Sequence, residues 1–442
     1  MIVVHRIALD PNQEQETSSR KAAGWARFAY NWALGQWQRQ YADGGKPNEN
    51  DLRELLGAIK AETFPWLMEV PKAVIQQAIE DLGAAFGHFF RRPEEYRHEP
   101  DPRRKGRLAR KLGYPKFKKK GRCRDASRAD NGPPTTGADA VRVDGIDVVL
   151  PKIGRIRMRE RLRFAGQVKS AVASRTADRW FVSLAVAVPD EVLPRKSHAV
   201  VGVDLGIATP ATVSDGRDPY EAPRPLRRLA KTRRRLGQAP ARKRGPGPGA
   251  APSRDFLKAQ RRLARLEARI ADIRIDATHE ATTDLCRTCS EIVLEDLSVS
   301  GMLANHTLAN SLADVGSSEF RRQVAYKAKR HACTVRLAPR FFPSSKMCSE
   351  CGHVNDNLKL SDRTWTCPAC GTVHDRDSNA AKDRASLAES TPATARIVGS
   401  KGAAILPLPS GNRAASSGPR RTPRTKLAAM KREPTRGRKS QG

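Results

Sequence analysis

Two cysteine pairs, Cys348-x-x-Cys351 and Cys367-x-x-Cys370, stand fifteen residues apart. That spacing fits a four-cysteine zinc ribbon, and few other local structures tolerate it. Each pair is followed by glycine, at Gly352 and Gly371. A knuckle turn favours a residue at ease with positive φ there, and glycine is the least strained choice. Four thiolates close a tetrahedron around one ion, so such a Zn²⁺ is structural and leaves no open position for chemistry. His353 and His374 lie close by as substitute ligands, but the four cysteines suffice. Cys286-x-x-Cys289 repeats the spacing without a second pair. It falls in a helical pattern, and both cysteines are read as ordinary helix residues.

Charge narrows the partner. The chain has 442 residues, enough for several domains, with 81 Lys and Arg against 47 Asp and Glu, a net of +34. Solubility alone needs only a handful of charges. An excess this large implies a polyanion, nucleic acid first and an anionic membrane surface second. No stretch reads as an amphipathic anchor, and no apolar run reaches the eighteen or so residues of a membrane helix. The N-terminal MIVVHRIALDPNQ lacks the parts of a secretory signal. The expectation is a cytoplasmic, nucleoid-associated protein without a membrane partner. In that setting, clustered cysteines favour metal over disulfides.

Residues 1–9 read as a strand, and Pro11-Asn12 open a helix with Trp25, Phe28 and Trp32 on one face. The plainer reading of that stripe is core packing; the sharper one is base stacking. A second helix begins after Pro71, with Val74, Ala78, Leu82 and Phe86 along one side. Residues 103–124 hold twelve Lys and Arg and no acid, with Tyr114 and Phe117 interleaved. That is the footprint of a segment tracking a phosphate backbone, and the alternative is a basic linker. Tyr114, Lys116, Phe117, Lys118, Lys119, Lys120 and Arg122 are the candidate contacts, joined by Lys346 near the ribbon.

From Val141 the period becomes two, through VRVDGIDVVLPKIGRIRMR, VKSAVASR and WFVSLAVAV, with TADR as a turn. This is a small antiparallel domain whose first strand is residues 1–9, the helices being inserted between. A new unit follows: a strand ending in Asp204, a basic helix after Pro225, the breaker stretch GQAPARKRGPGPGAAPS and a long helix with Phe256, Leu263, Leu266, Ile270 and Ile273 in heptad register. Another buried strand ends in Glu295 and Asp296, and a basic amphipathic helix and one more strand lead into the ribbon. Residues 388–442 read as a disordered basic tail.

Asp204, Glu295 and Asp377 each end an apolar strand or open a helix. Singly they are a turn former, a surface charge and a helix cap. Gathered together they would repel unless a cation lay between them. Such a set suits two Mg²⁺ ions, with Mn²⁺ as a substitute, that activate water and stabilise an in-line phosphoryl displacement. Asp375 competes with Asp377 for the third place.

The motifs resemble those of TnpB, the OrfB-type proteins of insertion sequences, and more distantly the compact type V CRISPR effectors. GVDLGIATPATVSDG at 202–216, IVLEDLSVSGM at 292–302 and DRDSNAAKD at 375–383 resemble the three RuvC motifs. FFPSSKMCSECG and WTCPACG resemble the zinc-binding insertion. YNWAL, YPKFKKKGR and ADRWFVSLAV extend the likeness, which covers about residues 1–387.

The resemblance implies an α+β multidomain protein. A wedge-like β-barrel (1–9 and 103–197) carries an inserted helical recognition module (10–102), and an RNase H-like RuvC nuclease domain (198–342 and 374–387) carries the four-Cys zinc ribbon (343–373). It implies Asp204, Glu295 and Asp377 as catalytic acids. It also implies an RNA from the transposon end that pairs with target double-stranded DNA beside a short motif read by the protein. The ribbon would help place that DNA. A nuclease-inactive RNA-guided repressor and a DNA transposase are the competing readings. The chain departs from the family at Asp383, where Asn is usual, at Glu280, where Lys is usual, and at Ser317, where Trp is common. No protein partner is legible.

Overall fold

The computed structural model describes residues 1–90, 113–131, 140–190, 199–207, 209–243, 252–297, 302, 309–339, 342–359, 361–390 and 396–397. The first half of the basic segment and most of the tail lie outside these residues.

Strand β1 (Ile2–Asp10) stops at Pro11, and Asn12 caps helix α1 (Gln13–Ala42) through a reciprocal capping box with Gln15. Helix α2 (Glu49–Thr63), capped by Asn48, was not anticipated: it buries only Leu52 and Leu56, too thin a stripe to stand out in the sequence. A 3₁₀ turn (Pro65–Glu69) leads to α3 (Lys72–Phe90), which buries Val74, Ala78, Leu82 and Phe86 as expected. The aromatic stripe of α1 belongs to this module's core. Trp25 packs on Trp66, and Phe28 meets Phe64 and Trp66 edge-on.

The sheet domain holds β2 (Ala126–Asp130), β3 (Arg142–Asp144), β4 (Asp147–Leu150), β5 (Gly154–Met158), β6 (Gln167–Thr176) and β7 (Arg179–Ala187). With β1 they form an antiparallel sheet ordered β2-β6-β7-β1-β5-β4-β3. β1 pairs with β7 along its first residues and with β5 at Leu9 and Asp10, so the N-terminus completes a domain whose other strands lie beyond the helices. Alternate residues, among them Ile7, Val148, Ile156, Trp180, Val182 and Leu184, fill one core. Asn131 links the two ends of the sheet. Its amide donates to the carbonyls of Val141 and Val168, and its oxygen accepts from Val141 N.

The next domain begins with β8 (Ala199–Asp204) and β9 (Thr212–Val213). Helices α4 (Pro225–Arg228), α5 (Ala230–Arg242) and α6 (Arg254–Thr288) follow, then β10 (Cys289–Glu295), α7 (Ala309–Val315), α8 (Ser317–Arg330) and β11 (Thr334–Ala338). The ribbon strands β12 (Thr364–Thr366) and β13 (Val373–Asp375) lead into α9 (Arg376–Ser390) and β14 (Arg396–Ile397). The central sheet runs β14-β11-β10-β8-β9, with β8, β10 and β11 parallel. Val201, Val203, Ile292, Leu294 and Val335 point to one face, where α6 and α8 supply Leu285, Phe320 and Val324. Gly202 faces the other way and receives α9.

Three boundaries differ from the sequence reading. Cys289 opens β10 and is not a helix residue, although Cys286 is. Helix α5 runs through Pro240 to Arg242, so the break between helices starts later than Gly237. Residue 388 falls inside α9, and Arg396–Ile397 pairs antiparallel with β11, so order extends past the expected start of the tail.

Candidate active site and zinc centre

Asp204 and Glu295 end adjacent parallel strands. Val203 pairs with Leu294, which sets the two acids side by side at the carboxyl edge of the sheet. Asp377 stands in the first turn of α9, the helix that crosses β8. Their charges are coupled. Burial raises the pKa of the Glu295 carboxyl, and the charge of Asp204 adds to the shift. Asp377 is raised by burial and then by Asp204 as well. The Asp375 carboxylate accepts from Ser378 N at 2.9 Å and caps α9. The adjacent Asp296 is held by Arg321 at 3.1 Å.

One residue of the site escaped the sequence reading. Arg384 is 3% exposed, and its guanidinium donates to Asp204 Oδ1 at 2.6 Å and Glu295 Oε2 at 3.0 Å. It lies two helical turns from Asp377, on the same face, and that spacing was the available signal. Asn379 lies in the third motif, where local chemistry alone suggests no role for it. Its oxygen accepts from Ser349 N at 2.9 Å, and its amide donates to Met347 O at 2.6 Å. It thereby bolts the first cysteine knuckle to the helix that carries Asp377.

The same amide donates to Asp383 Oδ2 at 3.1 Å. Asp383 is 2% exposed, and burial pushes its carboxyl up to about 7. A carboxyl whose folded pKa exceeds its unfolded one binds more protons in the folded state, so it costs stability as pH rises from about 4 to about 7. Asp383→Asn should therefore be more stable than the parent by on the order of 2 kcal/mol at pH 8, the two converging near pH 4. Urea titrations at both pH values check this. An equal gain at both would mean that the Asp383 carboxyl titrates alike in the folded and unfolded chain.

The four cysteine sulfurs lie within 4.8 Å of one another, the one such convergence of ligand atoms from three or more His, Cys, Asp or Glu among the described residues. Cys348 to Cys370 and Cys351 to Cys367 are each 3.6 Å. Tetrahedral sulfurs at a Zn–S bond of about 2.3 Å stand about 3.8 Å apart, so the donor set fits zinc. Gly352 and Gly371 both adopt φ of +74°, and their N–H groups donate to Cys348 O and Cys367 O. His374 Nε2 is 3.0 Å from Cys348 Sγ, and its ring packs 4.9 Å from Trp365, so it supports the sulfurs from behind. His353 is exposed. Cys286 is a core thiol that burial pushes up to about 12. Cys367→Ala should cut bound zinc, measured by mass spectrometry, from one per chain to none. It should also speed amide exchange in the ribbon and, through Asn379, at the start of α9.

The candidate nucleic-acid contacts divide. Lys116, Phe117, Lys119, Lys120 and Arg122 are exposed on the loop before β2. Tyr114 is exposed as well, and its ring packs edge-on against Phe86 and Phe89, with ring centroids at 5.4 Å. Lys118 lies over the Tyr30 ring at 3.8 Å, while its backbone exchanges two hydrogen bonds with Asn31. These two contacts dock the loop on α1. Lys346 donates to Asp356 O at 3.2 Å, within the ribbon.

Three family descriptions match in chain order: "Helix-turn-helix domain" over residues 1–46, "Probable transposase" of the OrfB type over 183–306, and "Cas12f1-like, TNB domain" over 318–383. A protein of Streptomyces pristinaespiralis named as a candidate RNA-guided DNA endonuclease is 33% identical over 387 residues, covering 84% of this chain and 86% of that protein. The chain belongs to the TnpB (OrfB-type) family of transposon-associated RNA-guided nucleases.

Another relative with the same description, from Escherichia coli (strain K12), is 29% identical over 397 residues, covering 86% of this chain and 90% of that protein. Among solved structures, Cas12f1 in a complex with sgRNA and target DNA superposes with a TM-score of 0.52 at 14% identity, covering 84% of this chain and 83% of that one. The TnpB chain thus shares the Cas12f1 fold. The domain match over 318–383 spans α8, β11, the four cysteines, Asp377 and Asn379. Among the described residues no helix is long and apolar enough to cross a membrane.

Proposed function

We propose that this chain is the RNA-guided DNA endonuclease of a transposable element. It cleaves target double-stranded DNA next to a short adjacent motif by Mg²⁺-dependent phosphodiester hydrolysis at a RuvC-type site. The observation that carries this reading is that Asp204 and Glu295 end adjacent strands of a parallel sheet while Asp377, on the helix that crosses it, feels the charge of Asp204, in a chain whose relatives are named for that activity.

The three acids offer only hard oxygen donors, the chemistry that Mg²⁺ or Mn²⁺ prefers. Bound there, two such ions supply Lewis acidity to the scissile phosphate and a nucleophile from water. The chain's own residues do the rest. Asp204 and Glu295 are held by the strand register, which fixes their spacing before any ligand arrives. Asp377 approaches from the helix and is set by Asp375 at the cap and Asn379 at the ribbon. Glu295 is half-buried, which strengthens the charge interactions around it. The ribbon's Zn²⁺ is structural. Lys116, Phe117, Lys119, Lys120 and Arg122 offer charge and one ring to a guide RNA. The guide reads sequence by pairing, and the protein reads the duplex and the adjacent motif.

A second reading, a nuclease-inactive RNA-guided repressor, draws on the buried ion pairs of Arg384 with two of the acids. Expression with the native flanking DNA, followed by sequencing of the bound RNA, tests the guided reading. The expected result is one discrete RNA ending in sequence from outside the element. Challenge of a plasmid bearing that sequence beside a randomised motif should then give Mg²⁺-dependent linear product. Heterogeneous cellular RNA would sink the guided reading, and a bound plasmid left uncut would favour the repressor.

A further inference from the structure

Arg384 is a charge that nuclease chemistry does not require where it stands. Its side chain is 3% exposed, and its guanidinium spans Asp204 and Glu295. Nη1 also reaches Ala380 O at 3.3 Å. An arginine keeps its proton at any working pH, so this cation is permanent. It is also anchored. Ala381, one turn earlier, sits with its carbonyl against Gly202, and the Arg384 Cβ lies beside the same glycine. The side chain therefore cannot leave the carboxylates unless α9 moves or χ angles rotate inside a packed interface. Asp377 is different: its partner is Arg363 at 3.5 Å, a side chain that is 61% exposed. Two of the three acids are thus neutralised from within, and the third is left to a solvated neighbour.

We propose that Arg384 is a tethered counter-cation that competes with divalent metal for Asp204 and Glu295, and so sets the metal concentration at which the site loads. The inference rests on the metal-dependent reading given above. A metal ion needs the carboxylate lone pairs that the guanidinium now occupies, and it meets a like charge within a few ångströms when it arrives. Both effects weaken binding. The ion pairs hold the acids at a single geometry in the meantime, which spares the apo chain the repulsion of unpaired buried carboxylates. Arg384 is a positioning residue in this account, acting through the two acids.

The test is binding of Mn²⁺ to the full-length chain freed of nucleic acid, read from the free-ion electron paramagnetic resonance signal. Mn²⁺ is oxygen-seeking and leaves a four-thiolate zinc in place. Arg384→Leu removes the charge and keeps an apolar stem. Arg384→Gln removes the charge and keeps a donor, and it serves if the leucine variant fails to fold. Arg384→Lys keeps the charge, and Asp204→Asn defines the background. The expected result is Mn²⁺ affinity at least about tenfold tighter for Leu or Gln, with Lys near the parent. Mn²⁺ should also raise the melting temperature more in those variants than in the parent. Asp204-dependent binding that Leu and Gln leave unchanged or weaken would overturn this inference alone. Binding no better in the parent and the Arg384 variants than in Asp204→Asn would overturn the metal-site reading, and this inference with it.

Discussion

Asp204→Asn should lower the rate of target cleavage by at least about a thousandfold while the bound RNA stays the same. About 4 kcal/mol of transition-state stabilisation corresponds to that factor, within what metal-assisted displacement draws from its ligands. The change is nearly isosteric, so β8 and its pairing with β10 should persist. What is lost is a negative oxygen donor and one arm of the Arg384 clamp. Its charge also adds to the raised pKa of the Glu295 carboxyl, so that carboxyl should ionise more readily in the variant. RNA retention is expected because Asp204 lies on the sheet edge, far along the chain from the exposed loop of Lys116 to Arg122. Single-turnover cleavage and filter binding on the same preparation decide the matter. A loss below tenfold would remove Asp204 from the catalytic set.

Gly202→Ala should be nearly as damaging to cleavage without touching a charge. An added Cβ would overlap the Ala381 carbonyl and stand 2.5 Å from Ala385 N. Both obstacles are backbone, so no side-chain rotation relieves them. Helix α9 must lift from β8, and it carries Asp377, Asn379 and Arg384. Overpacking of this kind costs about 1–3 kcal/mol or more in stability, and displacement of a reacting geometry by about 1 Å is enough to lose a hundredfold in rate. The expected pattern is faster amide exchange in α9, a lower melting temperature and cleavage down at least about a hundredfold. Parent-like stability and cleavage would mean that the helix does not need this close approach.

Both expectations rest on α9 as the element that joins the ribbon to the acids. The ribbon has its own small core of Cys348, Trp365 and Cys367, and the zinc centre is remote from the chemistry in its donor set. Yet Asn379 fastens the Cys348 knuckle to the same helix turn that presents Asp377. That contact ties the cysteine ribbon to the helix that carries Asp377.

The sequence alone determined what is local. A Cys-x-x-Cys-Gly knuckle is a five-residue structure, so Gly352 and Gly371 could be read as positive-φ residues from their neighbours alone, and both are. Alternation of period two placed β6 and β7, and apolar runs ending in acid placed Asp204 and Glu295 at strand ends. Tertiary structure decided what depends on distant partners. The thin apolar face of α2 becomes helical within a module whose core lies elsewhere in the chain. That Tyr114 also packs against Phe86 and Phe89, and Lys118 against Tyr30, is visible only in the fold. Asp375 and Asp377 separate only when one is found capping a helix and the other feeling the charge of Asp204. Arg384 is the clearest case. Its partners lie 180 and 89 residues away, and local chemistry would leave an arginine on a polar helix in water. It is buried because two carboxylates, brought together by strand register, leave a charge that a third group can neutralise.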